Sequence, residues 1–130
     1  MYKGGQILKA EVSDGTATTI YSDPVVVAEG NTFSLQFDVT ETSATYAAVI
    51  TLWATDDPDA VRATDDTGWV QMTTDHGWDG FPSLTAGAIA DGDADLMPIG
   101  NAGSHAYRLK VVRSGGVATI NAYASIKDNS

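Results

Sequence analysis

The residues with the greatest chemical potential in this 130-residue chain are its aspartates. Asp91, Asp93 and Asp95 alternate in Asp91-Gly92-Asp93-Ala94-Asp95, the first, third and fifth spacing of a calcium loop. The rest of that motif is missing, because Leu96 stands where the loop needs glycine and Ala102 where it needs a bidentate glutamate. The three remain calcium candidates on one physical ground: crowded carboxylates repel, and a cation relieves the repulsion. Asp56-Asp57-Pro58-Asp59 invites the same thought more weakly, and a solvated acidic loop is the plainer reading of both segments. His76 and His105 are the only histidines, and no cysteine joins them, so a transition-metal site would have to bring two distant residues together. No serine occupies a Gly-x-Ser-x-Gly elbow, and no glycine-rich loop is built to cradle phosphate. Paired-carboxylate glycoside hydrolysis needs a cleft around a sugar, for which so short a chain has little spare wall. The expectation is a non-enzyme with no catalytic residue and no cofactor.

Aromatic residues offer binding rather than catalysis. Trp53 and Trp69 sit in strand-like surroundings and are expected in the core. Trp78 and Phe81, in His76-Gly77-Trp78-Asp79-Gly80-Phe81-Pro82, belong to a loop that suits a subunit or partner contact, a local mini-core or a sugar platform.

The elements that must position these residues are strands. Thr32 to Thr40 alternates Phe33, Leu35, Phe37 and Val39 against Ser34, Gln36 and Asp38, the period of a half-buried strand. Tyr46 to Ala54 is apolar on both faces, which predicts a central strand covered on two sides or one lying at a subunit contact. Tyr107, Leu109 and Val111 lead to Ser114-Gly115-Gly116-Val117, whose glycines suit a tight turn, and Ala118 to Ile126 alternates after it. These two segments are predicted to form a hairpin. A second hairpin is expected around Ser13-Asp14-Gly15, joining Leu8, Ala10 and Val12 to Thr16–Tyr21. Val25 to Ala28 reads as a short strand held at an edge or bend by Pro24, and Trp69 to Thr73 as another. Thr74 to Ser104 shows no strong strand, and is read either as a functional excursion or as holding a short strand around Leu84 to Ile89. The sum is an all-β, single-domain antiparallel sandwich over residues 1–130, jelly-roll-like or immunoglobulin-like, with about eight strands and a long acidic loop region.

Charge narrows the partners. The formal net charge is −10, and residues 56 to 95 hold ten aspartates against Arg62 alone. Nucleic acid and anionic membrane are therefore not expected, since the cations that neutralise phosphate are missing. No apolar run approaches the ~20 residues of a membrane span, and the first residues lack the apolar segment of a signal peptide.

Several segments taken in order carry a resemblance. They are Tyr21-Ser22-Asp23-Pro24-Val25-Val26-Val27, Phe33 to Val39, Val49 to Asp57, Gly68-Trp69, Ala106 to Val112, Gly115-Gly116 and Ile120 to Lys127. The pattern resembles small β-sandwich virion structural proteins of tailed bacteriophages, of the head decoration or cement type. It departs from them at Thr55-Asp56-Asp57-Pro58, where a Ser-Asn-Asp-Gly turn is usual, and in its long acidic excursion. The resemblance implies a homotrimer on the outer capsid surface of the virion, bound to the major capsid protein and bridging its subunits. Tyr46, Val49, Trp53, Trp78 and Phe81 are then the candidates for subunit contact. Arg108, Lys110 and Arg113 form a basic face expected to pair with acid from the same or an adjacent subunit. The acidic loops are expected to face solvent or basic capsid patches. The alternatives are a carbohydrate- or receptor-binding module, using Trp78 and Phe81 with calcium at Asp91 to Asp95, and a tail or neck component.

Overall fold

The computed structural model describes residues 2–12, 18–27, 31–40, 47–62, 65–73, 88–89, 94–99, 104–115 and 118–127, with the backbone alone for some of these strand residues. Among the described residues ten strands run antiparallel: β1 (Tyr2–Val12), β2 (Thr18–Tyr21), β3 (Val25–Val26), β4 (Thr32–Thr40), β5 (Ala47–Thr55), β6 (Val70–Gln71), β7 (Ala88–Ile89), β8 (Ala94–Ile99), β9 (Ala106–Gly115) and β10 (Ala118–Lys127). They build two sheets. The first has the order β1-β10-β4-β8; the second has the order β2-β9-β5-β6, with β3 also on β9 and β7 also on β5. The chain is an all-β sandwich.

The strand order separates the two architectures left open by the sequence. The ribbon of β1 on β10 in the first sheet continues as β2 on β9 in the second, and β10 on β4 is matched by β9 on β5. Ribbons that wrap across both sheets in this way make a jelly roll. Two hairpin expectations fail for the same reason. β9 ends at Gly115 and β10 begins at Ala118, yet the two lie in different sheets and do not pair with each other; Gly116 and Val117 lie outside the described residues. β1 and β2 are likewise divided between the sheets, and Ser13-Asp14-Gly15 itself lies outside the described residues. Where about eight strands were expected, the described residues hold ten, because β3 resumes the β2 edge beyond Pro24, and β6 and β7 share one edge of β5.

The stretch expected to lack a strong strand contains β8, paired with β4 from Phe33↔Ile99 to Asp38↔Ala94. Pro98 and Asp95 disguise it in the sequence. A proline is tolerated there because β8 is an edge strand among the described residues, where a missing amide costs no ladder bond.

The core fills the space between the inner faces. β4 contributes Phe33, Leu35, Phe37 and Val39, β10 contributes Ile120, Ala122 and Ala124, β5 contributes Ala48, Ile50, Leu52 and Ala54, and β9 contributes Tyr107, Leu109 and Val111. Small residues of β10 lie beside large ones of β4, with Ala122 opposite Phe37 and Ala124 opposite Leu35. The Phe33 and Tyr107 rings meet with centroids 4.6 Å apart and planes tilted by 42°. Burying one such phenylalanine contributes about 1.5–3 kcal/mol.

Candidate functional site

With Tyr107, Leu109 and Val111 turned into the core, strand alternation puts Arg108, Lys110 and Val112 on the outer face of the second sheet. Register then chooses their neighbours. Lys110 lies between Tyr21 of β2 and Thr51 of β5, while Arg108 lies beside Trp53. Val112 is flanked by Thr19 and Val49.

Over this face folds the segment after β5, and short-range hydrogen bonds fix its path. A 3-10 helix spans Pro58–Arg62. Asp57 caps it, its Oδ1 accepting from the Asp59 amide at 2.9 Å, and Pro58 supplies the fixed φ that suits a first helical position. Next, Asp65 Oδ1 accepts from the Thr67 amide at 2.9 Å, and the Trp69 amide donates to the Asp66 carbonyl at 3.0 Å. Gly68 completes the turn at φ 79°, where a Cβ would also approach the Ala60 Cβ to 2.7 Å. The turn delivers Trp69 beneath the segment. Its indole donates to the Ala60 carbonyl at 2.8 Å, and it forms a second small cluster with Ala60 and Ala106, flanked by Trp53 and Val61.

Arg108 is enclosed by this arrangement, with a side chain only 3% exposed. Its guanidinium lies 4.2 Å from the Tyr21 ring centroid and 4.3 Å from that of Trp69, a cation between two aromatic faces. It also donates to the Asp65 carbonyl and stands 4.0 Å from Asp66 Oδ1. Lys110 Nζ sits 4.7 Å from the Trp53 centroid and donates to Asp66 Oδ2 at 2.6 Å. Tyr21 donates its phenol to Asp66 Oδ1 at 3.0 Å. One carboxylate therefore gathers a lysine, an arginine and a tyrosine.

The titration of these groups follows from the contacts. The hydrogen bond from Lys110 holds the Asp66 pKa below the usual carboxylate value, helped by the Tyr21 phenol. Burial, and then the hydrogen bond to Asp66, raises that of Tyr21. Burial lowers that of Arg108, against the opposing charges of Tyr21 and Asp66.

Beside this network lies an open cleft of about 430 Å³, bounded by Ala54, Thr55, Asp56, Asp57, Gly68, Val70, Met72 and Ser104. The buried Thr55 hydroxyl braces it, donating to the Gly68 carbonyl at 2.7 Å and accepting from the Asp57 amide at 3.1 Å. Asp56 Oδ1 accepts from the His105 amide at 3.3 Å.

The structure gathers some of the sequence candidates and leaves others apart. Arg108 and Lys110 converge on acid from their own chain, Asp66, so this part of the basic face is already occupied. Arg113 lies on β9 opposite Ala48, with only its backbone described. Val49 is 40% exposed on the outer face. Trp69 is buried as expected, but in the outer cluster, and Trp53 packs against that cluster instead of entering the main core. Tyr46, Trp78, Phe81, Asp91, Asp93 and His76 lie outside the described residues, and Asp95 is described only as backbone opposite Phe37. Sequence reasoning missed Asp66 and Tyr21. The available signal was the turn-forming Asp65-Asp66-Thr67-Gly68 before Trp69, together with the even-numbered cations of β9. Compared with protein-family models and with curated proteins, the chain matches none.

Proposed function

We propose that this chain is a non-enzymatic structural protein of a bacteriophage virion, a decoration or cement protein on the outer capsid surface. It binds the major capsid protein, bridges neighbouring capsid subunits as a homotrimer and so stabilises the head. The observation that carries this reading is the jelly-roll strand order, an architecture used by viral capsid domains and also by lectins. A fold by itself serves many functions, so the resemblance in strand pattern supplies the choice between them.

The outer face of the second sheet favours a structural role over a sugar platform. Tyr21, Trp53 and Trp69 have their rings against Arg108 and Lys110 of the same chain, which leaves them poorly placed to stack on a sugar. A carbohydrate-binding reading then depends on Trp78 and Phe81.

The test is co-sedimentation of the purified chain with expanded capsids that lack it, paired with light scattering of the free chain. Saturable binding, a trimer and capsids that resist heat better when coated are expected. A monomer at high concentration that leaves capsids bare overturns the proposal, as does a specific hit on a glycan array without capsid binding.

A further inference from the structure

The cleft beside the Arg108 network is lined by two kinds of surface. Ala54, Val70 and Met72 provide an apolar wall, and Asp56, Asp57, Thr55 and Ser104 provide a polar one. Each of the two carboxylates is oriented by a backbone amide on its Oδ1, from His105 and Asp59 respectively. Among the described residues neither second oxygen is engaged, and the ion pairs formed there, Arg108 and Lys110 with Asp66, involve neither residue. The cleft also opens at the start of the segment in which ten aspartates face Arg62 alone.

We propose that this cleft receives a lysine or arginine side chain projecting from a partner protein. Such a side chain matches both linings: its methylene stem lies on Val70 and Met72, and its charged head reaches Asp56 and Asp57. An acidic side chain is repelled, and a purely apolar one leaves the carboxylates unanswered. The volume of about 430 Å³ admits the stem together with water at the head. The partner's identity as capsid rests on the reading above, but the chemistry of the cleft does not.

The experiment needs no capsid, so its failure is separate from a failure of that reading. The full-length ¹⁵N-labelled chain is titrated with Nα-acetyl-lysine methylamide and its arginine counterpart, following the amides of Gly68, Val70, Met72 and Ser104. Glutamate and norleucine counterparts and calcium chloride serve as controls. Saturable shifts at those amides are expected with both basic probes, smaller ones with norleucine, none with glutamate, and weaker binding as salt rises. The double variant Asp56→Asn/Asp57→Asn keeps an Oδ1 acceptor at both positions, and its binding is expected to fall roughly fivefold. Val70→Lys, an exposed substitution that brings a lysine to the cleft from within, is expected to block the probes while leaving the rest of the spectrum intact. The proposal is overturned by the absence of cleft shifts at about 50 mM probe, well above the millimolar range expected for one side chain. It is equally overturned by norleucine binding as well as lysine, by calcium acting where the basic probes do not, or by both variants binding unchanged.

Discussion

On the inner face of the second sheet, Leu52, Leu109 and Val111 are sealed against Phe33, Leu35 and Phe37 of the first, and hydrocarbon meets hydrocarbon. On the outer face of the same strands, Trp53, Trp69 and Ala106 are covered by a turn segment, and a buried arginine lies among the rings. The inner region is held by burial that any well-packed set of apolar residues provides. The outer region depends on specific partners: a glycine at positive φ, an indole on one carbonyl, and a carboxylate that gathers two cations and a phenol. The difference teaches what each region tolerates: apolar packing accepts a swap that conserves volume but not a hole, while the directional network accepts no change of partner yet places less free energy in each contact.

The widest separation should come from Phe37→Ala, which leaves a hole between the sheets and is expected to cost about 3–5 kcal/mol in urea unfolding. Gly68→Ala acts on the outer region alone, adding a left-handed alanine and a Cβ crowded against Ala60. It is expected to cost about 2–3 kcal/mol, with the loss of Trp69 burial visible as a red-shifted fluorescence.

Arg108→Met retains much of the stem while removing the charge from between the rings. About 1–2 kcal/mol should be lost, because two cation–π contacts go but a costly buried charge goes with them. A stabilised variant would show that the network serves specificity of the turn and not its stability.

The smallest effect is expected from Asp66→Asn, no more than about 1 kcal/mol at neutral pH, since the carboxylate is 41% exposed and solvent screens it. Its signature is the pH dependence. The folded pKa of Asp66 lies below its unfolded value, so its contribution is complete above about pH 4 and disappears as pH falls through the folded pKa. Acid titration of stability should therefore be flatter in the variant than in the parent, and identical slopes would remove Asp66 from the account. At the alkaline end Tyr21 has the opposite sign: its pKa is raised, so stability present below about pH 10 is lost as pH rises beyond it.

Much of the inner region was legible because one physical rule writes it. Phe33, Leu35, Phe37 and Val39 recur at the period of a strand, and all four are buried. The apolar residues on both faces of β5 predicted a strand covered on two sides or one lying at a subunit contact; on its outer face Trp53 packs against the second cluster, while Val49 is 40% exposed. β8 was illegible because edge strands tolerate proline and charge, which read as loop. The carboxylate that organises the candidate site was hidden for a different reason. Asp66 is one of ten aspartates between residues 56 and 95, and nothing local marks it apart from Asp65.

By itself the amino-acid sequence determined the strand class, the faces of β4, β9 and β10, and the concentration of acid between residues 56 and 95. These follow from side-chain period and composition, which are properties of neighbouring residues. Only the tertiary structure decided that β9 and β10 lie in different sheets, that the strands wrap as a jelly roll, and that Asp66 meets Lys110 across a sequence separation of 44 residues. The physical reason is that a glycine-rich turn fits either a hairpin or a sheet crossing at similar local cost. The choice is made by burial of both sheets at once, a free energy that no short segment possesses alone.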